Sequence, residues 1–219
     1  MLGLTVYDLP SPGQALAEET RRTRSGRWKM IALLLVSAAP VIASYFTYYV
    51  IRPEGRRNFG ELIDPQHPMP DMPGLDLEGR THKLTELKGQ WLLVSVGSGS
   101  CNELCVQQLY FQRQLRESLG KERDRLDRVW LVSDMQAIPA EMQPGLQDAT
   151  VLRVPAEELA RWLAPAPGHE MGEHLYVVDP MGNWMMRFPA RLDVETAAKA
   201  KRDLERLLRA SSAWDQAGR

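Results

Sequence analysis

Three patterns of apolar residues follow one another along this chain. The first is a single block. Residues 31–51 read IALLLVSAAPVIASYFTYYVI, 21 positions without a charge, enough at 1.5 Å per residue for a helix to cross a hydrocarbon core of about 30 Å. The second is a stretch punctuated by proline: Pro53, Pro65, Pro68, Pro70 and Pro73 predict an extended linker over 52–73 that cannot become a helix. The third, from residue 74, alternates short apolar runs with helical stripes, as a layered α/β domain does.

The block reads as an uncleaved membrane helix over residues 30–51. A core helix would show a polar stripe, and this one shows almost none. A signal peptide would be shorter and would end in small residues. Here Tyr45, Phe46, Tyr48 and Tyr49 gather at one end and Trp28 stands at the other, the placement of an aromatic belt. Arg21, Arg22, Arg24, Arg27 and Lys29 precede the span; Arg52, Arg56 and Arg57 follow it. That excess predicts a cytoplasmic segment at 1–29 and places the rest of the chain across a bacterial inner membrane, in the periplasm, where disulfides are permitted.

In the domain at 74–212, Gly79-Arg80 predicts a hairpin turn before a short helix. Runs at 91–96 (WLLVSV) and 128–133 (RVWLVS) read as buried strands, with a possible third at 150–154. Between the first two, residues 102–119 turn helical. Leu104, Val106, Leu109, Tyr110, Leu115 and Leu119 are assigned to the buried face, and Gly120 to the C-terminal cap. A short helix at 157–163, a strand at 174–178 and its hairpin partner at 184–188 follow. A closing helix carries Val194, Ala197, Ala198, Leu204, Leu207 and Leu208 on one side, and 213–219 is a tail. Strand, turn, helix, strand, hairpin, helix is the thioredoxin-like order, and its first crossover is expected to be parallel and right-handed.

Composition narrows the chemistry. Lys plus Arg number 27 and Asp plus Glu 28, which excludes a nucleic-acid partner held by phosphate contacts. Two cysteines exclude a four-cysteine zinc site or an iron–sulfur cluster. Neither a glycine-rich phosphate loop nor HExxH or GxSxG occurs.

The two cysteines are Cys101 and Cys105, just after the first buried strand and at the start of the predicted helix. Strand ends are where open α/β sheets carry their sites. Residues i and i+4 of a helix share a face with Cα atoms roughly 6 Å apart, within disulfide reach. The pair suits reversible disulfide formation, with Cys101 as the more exposed, attacking thiol and Cys105 as the resolving one. The helix N-terminus favours a thiolate while Glu103 opposes it. Two thiolates also suit Cu(I). Haem attachment is excluded because the motif CxxCH is absent. In the linker, His67, Met69 and Met72 form a weaker soft-metal candidate.

The segment PGLDLEGRTHKLTELKGQWLLVSVGSGSCNELC resembles the opening of redoxin-type thioredoxin-fold proteins. With its three-residue cysteine spacing, RVWLVSD and EHLYVVDPMGNWMMRF, the chain resembles the Sco/SenC family over about 72–210. That resemblance implies a membrane-anchored copper chaperone or thiol–disulfide reductase of cytochrome c oxidase assembly. Its copper, Cu(I) or Cu(II), would be held by both cysteines and a histidine before the late hairpin, and its partner would be the copper-bearing oxidase subunit or another assembly factor. His169, Met171 and His174 stand where that third ligand is expected. Asn102 and Val106 occupy places where the family has proline. A general oxidoreductase without copper and a non-catalytic scaffold are the alternatives.

Overall fold

The computed structural model describes residues 12–51, 58–211, 213 and 215. The chain divides into two compact units at about residue 55.

The first unit is helical. Helix α1 (Pro12–Phe46) contains Pro40 and runs on into a π-helical segment at Thr47–Ile51. Its apolar section, Gly26–Tyr49, is 24 residues long with mean hydropathy 2.0, long and apolar enough to cross a membrane. Leu33, Val36, Ile42 and Tyr45 all lie open among the described residues, an apolar surface that suits a lipid environment. Tyr45 stacks on Tyr49, and Tyr48 meets Tyr49 edge-on.

The second unit is built on one eight-stranded sheet: β1 (Glu61–Pro68), β2 (Pro73–Leu75), β3 (Thr81–Lys83), β4 (Trp91–Gly97), β5 (Leu126–Val132), β6 (Ala149–Arg153), β7 (Leu175–Val178) and β8 (Asn183–Arg187). Their order across the sheet is β1-β8-β7-β4-β5-β6-β2-β3. The runs read as buried strands are the middle ones, because only a strand covered on both faces is apolar at successive positions. β4 and β5 pair in parallel, with Trp91 opposite Leu126 and Ser95 opposite Trp130. The connection between them is helix α2 (Glu103–Ser118). Helix α3 is Ala156–Trp162 and helix α4 is Val194–Ala210.

Each sheet face has its own core. Leu92, Val94, Val96, Val129 and Leu131 pack with Leu159 and Trp162 of α3. Trp91, Leu93, Leu126 and Val177 pack with Phe111 and Leu115 of α2 and Leu204 and Leu208 of α4. Asp193 and Thr196 form a reciprocal capping box that starts α4. Gly120 follows α2 at φ 58°, the left-handed geometry that ends a helix.

Two expectations are corrected. The described part of the proline-rich stretch is not a spacer. β1 pairs antiparallel with β8, and Met69 and Met72 are buried in the α3-side core rather than presented to a metal. Phe59 and Gly60 donate their amide N–H groups to Asp203 Oδ2 of α4 at 2.6 and 2.9 Å. The folded unit therefore includes residues well before 74. The buried face of α2 also differs from the one assigned. Val106 and Tyr110 lie open, whereas Gln108 and Gln112 are enclosed. Gln112 Nε2 donates to the carbonyls of Leu93 and Val129, and Gln108 Nε2 donates to that of Glu173. Glutamine belongs inside when its amide can reach backbone acceptors.

Candidate functional site

Strand β4 ends at Gly97, and the chain turns through Ser98-Gly99-Ser100 into the cysteine pair. Asp134 holds this turn, accepting from Gly99 N at 2.9 Å. The Ser98 hydroxyl, foremost, and the Gly99 and Gln136 amides keep the Asp134 carboxyl below the usual carboxylate range. A Cβ on Gly99 would lie 2.2 Å from the Gln136 carbonyl oxygen, so only glycine lets the two segments approach this closely.

Asn102 is the N-cap of α2: its side-chain oxygen accepts from Cys105 N at 3.0 Å. Asn102 occupies a position that proline would fill without a capping side chain. Cys101 therefore lies just ahead of the helix, with left-handed φ of 44°, while Cys105 stands in its first turn. The two are joined as a disulfide with Cα atoms 5.1 Å apart, closer than i and i+4 in a regular helix. The left-handed residue outside the cap closes that gap.

The two cysteines are 7% and 8% exposed, which corrects the expectation that Cys101 is the more open of the two. Both pack against Trp130, Val132, Leu146 and Val151. Cys105 also borders a cavity of about 340 Å³, lined among others by Gly97, Ser98, Ser100, Asn102 and Met171. The 3₁₀ turn Met171–Glu173 closes on the end of β4; a Cβ on Gly172 would come within 3.1 Å of the Val96 carbonyl oxygen.

The three residues expected to supply a further ligand separate here. Met171 is on the cavity of Cys105. His169 and His174 line a different cavity, of about 330 Å³, with Arg187 and Phe188. His174 is fully buried and both ring nitrogens are engaged: Nδ1 with the Phe188 carbonyl at 2.9 Å, Nε2 with Ala166 N at 3.2 Å. Since Nε2 must accept from an amide N–H, Nδ1 carries the proton, and no lone pair is left for a metal. Burial, foremost, pulls the His174 pKa down. His169 Nδ1 lies 2.6 Å from Glu173 Oε2, and Arg191 reaches the other carboxylate oxygen at 3.1 Å. These two partners, His169 first, hold the Glu173 carboxyl below its ordinary range. No cluster of three His, Cys, Asp or Glu side chains suited to a metal occurs among the described residues.

Sequence reasoning passed over Trp130, whose fully buried ring forms part of the floor beneath the disulfide. The available signal was one indole within the aliphatic run at 129–132.

The model of the transmembrane-like, thioredoxin-like, C-terminal domain family matches residues 91–211, more than half of the chain. The chain belongs to this family. The match spans β4, the cysteine turn, α2 and everything through α4, so the elements that position the disulfide are those of the thioredoxin-like domain. Among solved structures, apo Sco1 from Thermus thermophilus is 17% identical at a TM-score of 0.51, covering 70% of this chain and 96% of that one. Yeast Sco1 is 14% identical at 0.51, covering 65% and 98%. A SCO1/SenC family lipoprotein from Bacillus anthracis is 15% identical at 0.50, covering 66% and 98%. At these identities the likeness shows the shared thioredoxin-like fold. Comparison with curated proteins gives no match.

Proposed function

We propose that this protein is a membrane-tethered thiol–disulfide exchange factor acting in the assembly of cytochrome c oxidase. The observation that carries the reading is the cysteine pair itself: two sulfurs joined at the head of α2, with Cys105 on an open cavity. In this reading α1 anchors the chain in a bacterial inner membrane with its N-terminus in the cytoplasm. The thioredoxin-like domain works in the periplasm on a copper-bearing oxidase subunit or another assembly factor.

Exchange needs no cofactor. A partner thiolate attacks Cys101 Sγ, a new S–S bond forms to the partner, and the electron pair of the old bond leaves on Cys105 Sγ as thiolate. A second partner thiol then displaces Cys101, leaving the pair reduced by two electrons and the partner's two thiols oxidised to a disulfide. The reverse sequence reduces a partner disulfide. Cys101 takes the attacked role because it lies on the loop ahead of the helix cap, outside the regular backbone of α2. Cys105 takes the leaving role within the first turn of α2, where helix N–H groups favour an anion.

The test is trapping. In the full chain in detergent, Cys105→Ser should accumulate a mixed disulfide through Cys101 with a glutathione or peptide thiol, and Cys101→Ser should accumulate far less. A wild-type pair that never equilibrates with glutathione would overturn the reading.

One observation favours a second reading on the same pair. Met171 shares the cavity of Cys105, so the reduced site offers two thiolates and a nearby thioether, a soft donor set that suits Cu(I) as cargo. His174, with both nitrogens in use, does not fit this set, and His169 faces the other cavity. Titration of the reduced full chain with Cu(I) tests it. One equivalent bound, with loss in Cys101→Ser, supports copper transfer; no binding leaves exchange alone.

A further inference from the structure

Four tryptophans are buried among the described residues: Trp91, Trp130, Trp162 and Trp184. Three of their indole N–H groups have partners. Trp91 donates to Ser211 Oγ at 3.1 Å, Trp162 to the His67 carbonyl at 3.3 Å and Trp184 to the Met186 carbonyl at 3.0 Å. Trp130, fully buried, donates to nothing. An enclosed N–H without an acceptor costs free energy, and native structures avoid it unless the group has a use.

Its surroundings indicate the use. Trp130 stands on β5 opposite Ser95, under the turn that carries the disulfide. A Cβ built on Gly97 would meet Cys105 Sγ at 3.3 Å and Trp130 Nε1 at 3.4 Å. The sulfur and the unpartnered donor therefore flank one small gap, which stays open because residue 97 has no side chain. A disulfide sulfur is a weak acceptor, while a thiolate is a charged one that shortens and strengthens the bond it receives.

We propose that Trp130 is the dedicated hydrogen-bond donor to the Cys105 thiolate, idle in the disulfide form and engaged on reduction. This deepens the exchange reading, on which its functional meaning rests, by assigning what stabilises the leaving sulfur. The indole lowers the Cys105 pKa and shifts the pair toward the reduced form. The segment 91–112 supplies no side-chain cation to the thiolate, since it contains no Lys, Arg or His; Glu103 in the first turn of α2 and Glu170 on the shared cavity both oppose a negative sulfur.

The experiment uses the full chain in detergent with Cys101→Ser as background, so that Cys105 is the only thiol to titrate. Thiolate absorbance is followed against pH, with and without Trp130→Phe. Removing the indole N–H should raise the Cys105 pKa by about one unit, a tenfold loss of thiolate at a given pH below the pKa. In the two-cysteine protein the same change should move the equilibrium with glutathione about tenfold toward the disulfide, equivalent to about 30 mV. Gly97→Ala keeps the indole but inserts a methyl group into the gap, and should raise the same pKa; it decides the matter if Trp130→Phe fails to fold. An unchanged Cys105 pKa in a folded Trp130→Phe variant overturns the proposal, as does an unchanged value in Gly97→Ala should Trp130→Phe not fold. If instead the wild-type pair does not equilibrate with glutathione, the exchange reading falls, while the titration of Cys105 alone still decides whether the indole acts on it.

Discussion

Two small cavities lie on either side of the segment 169–174, and they use their chemistry in opposite ways. On one side, Cys105 and Met171 border one cavity, and Trp130 Nε1, which flanks the gap beside the Cys105 sulfur, is uncommitted. On the other, His169, His174, Glu173 and Arg191 spend their polar atoms on one another and on the backbone. Reactive residue types are thus not enough to mark a site. A histidine whose two nitrogens bridge Ala166 and Phe188 acts as a backbone clamp. A cysteine pair at a strand end with spare space and a spare donor can change state.

Predictions follow from that contrast. The largest effect belongs to the sulfur side: Cys101→Ser or Cys105→Ser should lower the steady-state rate of dithiol–disulfide exchange on the order of a thousandfold, with the urea midpoint measured in parallel to separate loss of chemistry from loss of the cross-link. Next, His174→Ala should cost about 2–4 kcal/mol of stability, since it leaves the buried Phe188 carbonyl and the part-buried Ala166 amide without their partner. Exchange by the folded fraction should stay within about threefold of wild type. A variant of unchanged stability that has lost exchange would erase the distinction between the two sides. Third, Met171→Ala should weaken Cu(I) binding to the reduced chain about tenfold, with His169→Ala leaving it unchanged; equal losses would move the ligand to the histidine side.

The smallest effect is a pH dependence of the clamp. His174 has its folded pKa below the ordinary imidazole value, so the unfolded chain binds the extra proton first. Stability from this group is complete above the ordinary imidazole pKa. It declines as pH falls from there toward the folded value, at no more than about 1.4 kcal/mol per pH unit. Denaturant midpoints taken from neutral to about pH 5 should therefore decrease, and His174→Gln should flatten the decrease.

Much of this was legible in the sequence, and for physical reasons. WLLVSV and RVWLVS announce central strands because burial on both faces removes the need for polar alternation. Cys101 and Cys105 announce themselves by spacing and by place. What depends on distant partners was not legible. Asp203 meets Phe59 and Gly60 across more than 140 residues of chain, and a proline-rich segment gives no hint of that contact. Gln108 and Gln112 fall outside the face assigned as buried, because the carbonyls that draw them inward belong to other elements. The engaged state of His174 rests on Ala166 and Phe188, and the free state of Trp130 rests on an acceptor that exists only after reduction.

The proline-rich strand has one more consequence. Any sheet this wide ends in two margins where an unpaired backbone can recruit a second copy and grow. One margin here is β1, which carries Pro65 and Pro68 and whose pairing with β8 breaks register between Leu62 and His67. The other is β3, three residues long and ending in Lys83. Missing amide donors on one flank and brevity with charge on the other deny a neighbouring molecule a template, so the same prolines that disguise the strand also guard against polymerisation.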